Sequence, residues 1–214
     1  MTTHKPESLD GTGTSALWNG TYASKTESER SWSEDFPSVS LSFIDEARLT
    51  TSAPIIDVGG GSSRLVDQLL VRGHCDVTVL DISAAAIDEA RHRVEDERAK
   101  WIVADVTTWA PTRSYALWHD RAVFHFLTSR AGQASYVARA TGSVEAGGHL
   151  VLATFSLSGP TTCSGLEVQR WSSRQLTELF DGGFTLVESV ERDHVTPWGA
   201  VQPFSWVMLR RRAV

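Results

Sequence analysis

The chain is poor in cysteine. Cys75 and Cys163 are the two it has, and two give no disulfide framework. No apolar run approaches the ~20 residues of a membrane-spanning helix, and the N-terminus lacks a signal-peptide core. Basic charge is also short: 20 Lys and Arg stand against 26 Asp and Glu, a formal net charge of −6. That balance works against a broad phosphate-binding surface, so nucleic acid is not expected as a partner. Together these absences leave a cytoplasmic protein without membrane contact as the simplest expectation. What remains is an ordinary globular composition, 41% hydrophobic and 21% charged, in 214 residues. That length suits one domain with a sizeable core. Eight tryptophans are many for this length, and several fall near the stretch described next, which suggests an aromatic-lined pocket.

Ile55-Ile56-Asp57-Val58-Gly59-Gly60-Gly61-Ser62-Ser63 runs from an apolar strand through an acidic residue into a glycine-rich turn. Leu65, Val66, Leu69 and Leu70 then recur at helical spacing. Glycines there let a ligand approach the backbone, and the free N–H groups of a helix start point at it. A second strand, Val77 to Leu80, ends in Asp81, placed to take both hydroxyls of a ribose. A dinucleotide turn would need glycine at 64, where the chain has Arg64. A carboxylate at Asp57 would repel a pyrophosphate but attract a cation by roughly 4 kcal/mol at contact, with an effective dielectric near 20. S-adenosylmethionine, a nucleoside with a sulfonium and an ammonium, fits that charge. An incidental Asp in a plain strand–helix turn is the simpler alternative, and Asp81 weighs against it.

Asp57-Val58-Gly59-Gly60-Gly61 with Asp81 resembles the first two motifs of class I S-adenosylmethionine-dependent methyltransferases, and Leu117 to Leu127 looks like the family's fourth-strand motif. The resemblance runs from about Trp18 to Arg211. It departs at Ser63, where many members carry a third glycine. It implies that Gly59, Gly61 and Asp57 cradle the cofactor, that Ile82 packs on the adenine, and that Asp105, beside Val106, accepts from the adenine amine. Ile82 as core and Asp105 as a turn cap are the competing readings.

Residues 1–15 are polar and expected to be a disordered tail. Residues 16–214 are expected to form a single domain. Segment 16–37 carries Tyr22 and Trp32, which either dock a surface helix or close a flap over the sulfonium. Helices are expected over Val39–Leu49, over Ala84 to about Arg98 behind an Ser83 cap, over Arg130–Glu145 with Tyr136 buried, and from Ser172-Ser173 to Phe180. Strands alternate with them at Trp101–Ala104, Tyr115–Trp118 and His149–Phe155, and two more follow at Phe184–Val190 and Phe204–Leu209. Right-handed crossovers make an α/β, doubly wound, mostly parallel sheet of seven strands with helices on both faces. The resemblance implies the order 3-2-1-4-5-7-6 with the last strand antiparallel. The connection 156–171 is long for a compact domain and leaves the ligand end of the sheet, so it is expected to cap the substrate.

The fourth strand delivers His119, Asp120 and Arg121 to the reaction side, with Phe124, His125 and Phe126 just beyond. His119 and His125 are candidate bases, since a nucleophile loses a proton as it is methylated; either could instead be packed and hydrogen-bonded. No metal is expected, because no third ligand appears at recognisable spacing. Asp120 could orient a histidine or bind the methionine end of the cofactor. Arg121, Phe124, Cys163 and Trp198 are candidates for lining the acceptor, with packing the favoured role for Cys163. The resulting expectation is methyl transfer from S-adenosylmethionine, leaving S-adenosylhomocysteine, to an O, N or S atom of a small molecule. A protein lysine is the alternative acceptor. A non-catalytic S-adenosylmethionine binder and an NAD-dependent oxidoreductase stand further off.

Overall fold

The computed structural model describes residues 11–213. Two helices, α1 (Gly11–Ser24) and α2 (Ser38–Glu46), precede β1 (Ile55–Val58). Alternation follows: α3 (Leu65–Val71), β2 (Val77–Asp81), α4 (Ala84–Val94), β3 (Ala99–Val103), β4 (Tyr115–Arg121), α5 (Arg130–Ser143) and β5 (Val144–Phe155). After a small two-stranded pair, β6 (Thr162–Cys163) and β7 (Leu166–Glu167), come α6 (Ser173–Leu179), β8 (Phe184–Val195) and β9 (Val201–Arg211). The sheet order is β3-β2-β1-β4-β5-β9-β8. The first five strands are parallel, and β9 runs antiparallel to both neighbours. With β6 and β7 set aside, this is the order and the reversed last strand expected above.

The central parallel strands β1, β2 and β4 are buried on both sides, while the outer strand β8 is largely exposed. One face carries Ile55, Leu117, Val151 and Met208 against Leu41, Phe43 and Ile44 of α2 and Leu65 and Leu69 of α3. The other carries Ile56, Trp118, Leu150 and Val207 against Tyr136 and Ala140 of α5 and Leu176 of α6. Strand order reverses between β1 and β4, the crevice where ligands of such sheets bind.

Three local expectations are adjusted. Residues 11–15, expected in the disordered tail, belong to α1; residues 1–10 lie outside the described residues. Ser15 Oγ donates to the Ile82 carbonyl at 3.0 Å, a tertiary bond that offsets the weak helix propensity of a Gly- and Thr-rich start. Helix α4 stops at Val94, not near Arg98, because Glu95 adopts the left-handed conformation and closes the helix end. The 156–171 connection holds the β6–β7 pair, turned by Ser164 and Gly165, both at positive φ. Such a two-residue turn matches the twist of a hairpin.

Candidate active site

The glycine turn is fitted to what surrounds it. A Cβ on Gly59, at φ +66°, would lie 1.9 Å from the Val123 side chain; one on Gly61, at φ +44°, would lie 2.7 Å from the Tyr22 hydroxyl and 2.9 Å from Asp81 Oδ2. Ser63 takes the third-glycine position without strain: its hydroxyl accepts from the Leu65 amide and helps cap α3. Asp57 and Asp81 end adjacent strands, both buried, and no Lys or Arg side chain among the described residues bonds to either. Burial, with Asp57 nearby, pushes the Asp81 carboxyl up to about 7, although the amides of Ser83, Ile82 and Gly61 pull against it. The Ser83 amide donates to its Oδ1 at 2.8 Å. Its Oδ2 faces the Gly61 surface and the Tyr22 hydroxyl. Two buried carboxylates beside a backbone cradle suit a ligand that brings hydroxyl donors to Asp81 and positive charge near Asp57. Among the described residues no cluster of His, Cys, Asp and Glu could hold a metal ion.

The N-terminal segment lies over this cradle. Asn19 Oδ1 accepts from Ser83 Oγ and the Ala85 amide, so α1 crowns the start of α4. Arg30 is nearly fully buried. It forms a bidentate pair with Glu89, bonds Ser62 Oγ, and holds the Tyr22 and Lys25 carbonyls. Its guanidinium also stacks 4.5 Å from the Tyr22 ring. Trp32 meets Trp18 and Tyr22 edge-on at 5.6 and 5.9 Å, and Trp18 meets Phe126 at 5.2 Å. The gap left between segment 27–34 and the turn at Ser62–Arg64 is about 20 Å³, lined also by Arg121. That is room for about one water.

Strand alternation sorts β4 onto two faces. His119 points to the α2 face. Its Nδ1 is 2.7 Å from Asp57 Oδ1 and its Nε2 is 3.0 Å from the Ser40 hydroxyl of α2. Both ring nitrogens are therefore engaged with protein groups, Nδ1 with Asp57 and Nε2 with Ser40. Asp120 points to the α5 face and is fully buried. Tyr136 donates to its Oδ2 at 2.5 Å, the Val123 amide to its Oδ1 at 2.9 Å, and Trp118 Nε1 donates to the Tyr136 oxygen. Burial still pushes the Asp120 carboxyl up to about 6. Asp120 thus secures the 120–123 turn, where Ala122 sits at φ 74°, with both of its oxygens engaged by protein groups.

The remaining sequence candidates divide. His125 is fully buried, and desolvation lowers its ring to about 3, which makes it a poor base. Its Nδ1 accepts weakly from the Phe155 amide at 3.4 Å. Phe124 is buried and packs on Tyr136 and Trp171. Cys163 is buried, and burial raises its thiol. Trp198 is 58% exposed at the β8–β9 turn. Asp105 Oδ1 is taken by the amide and hydroxyl of Thr107, the turn-cap alternative. Val106 is buried in the α5-side core. Arg121 reaches the Trp32 carbonyl at 2.9 Å and Glu34 at 3.3 Å. Sequence reasoning missed Arg30, Glu34, Ser40 and His194. Each acts through a partner at least 32 positions away, and no local spacing marks it.

Residues 55–148 match the family model described as a methyltransferase domain. No curated protein matches the sequence. Among solved structures, an S-adenosylmethionine-dependent methyltransferase from Anabaena variabilis is similar over 99% of each chain, with TM-score 0.73 at 15% identity. The 1,6-didemethyltoxoflavin N1-methyltransferase of Burkholderia thailandensis, crystallised with its substrate and S-adenosylhomocysteine, is similar over 98% of this chain and 94% of its own. Its TM-score is 0.71 at 16% identity. The magnesium protoporphyrin IX methyltransferase of Synechocystis, with S-adenosylmethionine bound, is similar over 97% of this chain and all of its own, with TM-score 0.72 at 13% identity. At these identities the likeness is one of fold.

Proposed function

We propose that this chain, which carries a class I S-adenosylmethionine-dependent methyltransferase domain, transfers the methyl group to a nucleophilic O, N or S atom of a small molecule. The observation that carries the small-molecule part is the closure of segment 11–34 over the glycine turn, with Trp18, Trp32 and Phe126 packed into one wall beside it. A protein side chain would need an open groove at that place. Among the described residues no helix is long and apolar enough to cross a membrane, and nothing in this reading calls for one.

S-adenosylmethionine, when bound, supplies an already activated methyl group, so the protein's work is orientation, worth roughly 7–11 kcal/mol in well-aligned reactions. Asp81 would accept from the ribose hydroxyls. Asp57, held by His119, would supply negative charge beside the glycine turn. Tyr22 and Trp32 would exclude water and face the cationic sulfur with aromatic rings. Neither histidine of β4 and its following turn is set up as a strong base: His119 is bonded on both nitrogens and His125 sits near 3. The acceptor's proton is therefore expected to leave to solvent, or to be gone before binding.

Incubating the full chain with S-adenosylmethionine and a small-molecule library, and scoring S-adenosylhomocysteine release, tests this reading. A thermal shift with S-adenosylhomocysteine tests the cofactor alone; ligand at 100 times its Kd adds about 2.7 kcal/mol. Turnover on protein lysines but on no small molecule would defeat the small-molecule acceptor and keep the methyltransferase.

A further inference from the structure

The sheet has two edges, and they are not alike. β3 is five residues long, while β8 runs for twelve. A long exposed edge presents a row of unpaired N–H and C=O groups to other chains, and proteins commonly shorten or cover it. No strand among the described residues pairs with the outer side of β8. From Thr185 to Asp193 every residue is exposed except Val190, which is half-buried. Exposed large hydrophobics gather on the same strand and its hairpin, at Leu186, Val187, Val195, Trp198 and Val201.

The backbone pattern fixes which groups face out. The Thr196 amide donates to the Ala200 carbonyl at 2.8 Å, so His194, Arg192, Val190 and Glu188 follow as the inward, hydrogen-bonded positions against β9. Pro203, opposite Asp193, agrees: it has no N–H, and its carbonyl turns to the β5 side, where it accepts from the Ser156 amide at 2.9 Å. The N–H and C=O groups of Ser189, Glu191 and Asp193 therefore point away from the sheet. The irregularity between Leu186 and Glu188 lies outside this stretch.

A second copy running antiparallel can take up those groups, and charge selects the register. With a two-fold axis at Val190, Ser189 of each copy exchanges backbone bonds with Glu191 of the other. Glu188 of each then faces Arg192 of the other in a non-hydrogen-bonded pair, where Cα atoms stand ~4.5 Å apart. An axis at Glu191 would set that carboxylate against itself. An axis at Arg192 would set the guanidinium against itself and Glu191 against Asp193. An axis at Ser189 would leave Glu188 opposite Val190 and Arg192 opposite Leu186. Like charges directly opposite weaken a ladder, and opposite charges support it. Within the chain neither Glu188 nor Arg192 has an ion-pair partner; the Arg192 guanidinium donates to the Glu191 carbonyl at 3.1 Å.

We propose that β8 is a dimer interface, pairing antiparallel with β8 of a second copy about an axis at Val190, with Glu188 of each copy against Arg192 of the other. The two sheets become one. Leu186 and Val187 of one copy approach the Val195 end of the other, which removes apolar surface from water. His194, on the same strand, has its Nε2 2.6 Å from the Ser31 carbonyl, so a β8 held by a second copy also braces the N-terminal segment. This inference does not depend on the methyltransferase reading.

Sedimentation velocity on the full chain over a concentration series reads the association directly. The unaltered protein should be a dimer at the top of the series. Glu188→Lys should raise the dissociation constant about tenfold or more, because two attractive pairs become two repulsive ones. Arg192→Glu should do the same, and the double variant carrying both changes should recover the dimer. Ser189→Pro removes an outward N–H that β9 does not use, so it should dissociate the dimer and leave the circular dichroism spectrum unchanged. A monomer throughout the series, or a dimer indifferent to both Glu188→Lys and Ser189→Pro, overturns the proposal. So does a double variant that folds and stays monomeric, since it keeps every feature of the paired strands except the direction of the charges. If Ser189→Pro fails to fold, the charge variants, both at exposed positions, decide the matter alone.

Discussion

Asp81 and Asp120 lie at the ends of two strands on either side of β1, both buried, and burial lifts both carboxyls, to about 7 and about 6. By perturbation alone they look alike. Their partners separate them. Asp120 has a tyrosine hydroxyl on one oxygen and a backbone amide on the other, so the protein completes it. Asp81 takes the Ser83 amide on one oxygen, its second oxygen faces the Gly61 backbone of the glycine turn, and among the described residues no side chain hydrogen-bonds to either. A shifted carboxyl marks a ligand site when its hydrogen-bond complement is left open, and a structural post when it is filled.

The largest test of that contrast is Asp81→Ala. It should weaken S-adenosylhomocysteine by more than about 100-fold, from two charged hydrogen bonds at about 1.5–3 kcal/mol each, without lowering the unfolding midpoint. Unchanged affinity by calorimetry in the folded variant would place the ribose elsewhere. Asp120→Ala should show the reverse pattern. It strands the buried Tyr136 hydroxyl and Val123 amide and should cost about 2–4 kcal/mol in denaturant unfolding, with a far smaller loss of affinity than Asp81→Ala.

A pH series sharpens the comparison further. For both groups the folded carboxyl lies above its ordinary 3.8, so the native state binds the extra proton and stability falls as pH rises. The fall runs from 3.8 to about 6 for Asp120 and from 3.8 to about 7 for Asp81. Saturating cofactor should remove the Asp81 part alone, because ribose donors favour the ionised form. Cofactor affinity should drop about tenfold per unit below pH 7, with nearly one proton released on binding at pH 6, read from calorimetry in buffers of different ionisation heat. A flat profile would mean that Asp81 is ionised before binding.

The smallest expected effect belongs to His119→Asn. As a support for Asp57 it should weaken S-adenosylmethionine by about three- to tenfold, the order of one ordinary net hydrogen bond of about 0.5–1.5 kcal/mol, and leave the shape of the pH–rate profile intact. Disappearance of the acidic limb would restore the role of base.

The glycine cradle was legible because its signal is local: strand, acid, glycines and helix fall within sixteen consecutive residues from Ile56 to Val71. Asp81 was legible through the length of one strand–helix–strand unit. The sheet order came with the resemblance, while the layering came from alternation of elements. His119 shows where such reading stops. Strand periodicity puts residues 119 and 121 on one face and 118 and 120 on the other. It does not say that a serine 79 positions earlier sits opposite the ring. Tyr136 was legible as buried, but its bond to Asp120 was not, since helix spacing reveals a face and not a partner. Glu34 and Arg30 were invisible for the same reason. Each is one of several charges in a polar stretch, given meaning by groups on β4 and α4 that only the fold brings near.

Segment 11–34 touches the proposed cofactor cradle at Tyr22 and, through Trp32 and Glu34, the end of β4 at Arg121, on the side proposed for the acceptor. One piece of chain therefore reports each site to the other. Opening it spends the Arg30 contacts once, whichever ligand arrives first, and the second arrives at a mouth already ordered or already loosened. Thermodynamic linkage makes such an influence reciprocal: the factor by which S-adenosylhomocysteine changes acceptor affinity must equal the factor by which the acceptor changes S-adenosylhomocysteine affinity. The N-terminal helix, which reads as a cover, is on this view the channel of communication between the two sites, and weakening Arg30 would make them independent of one another.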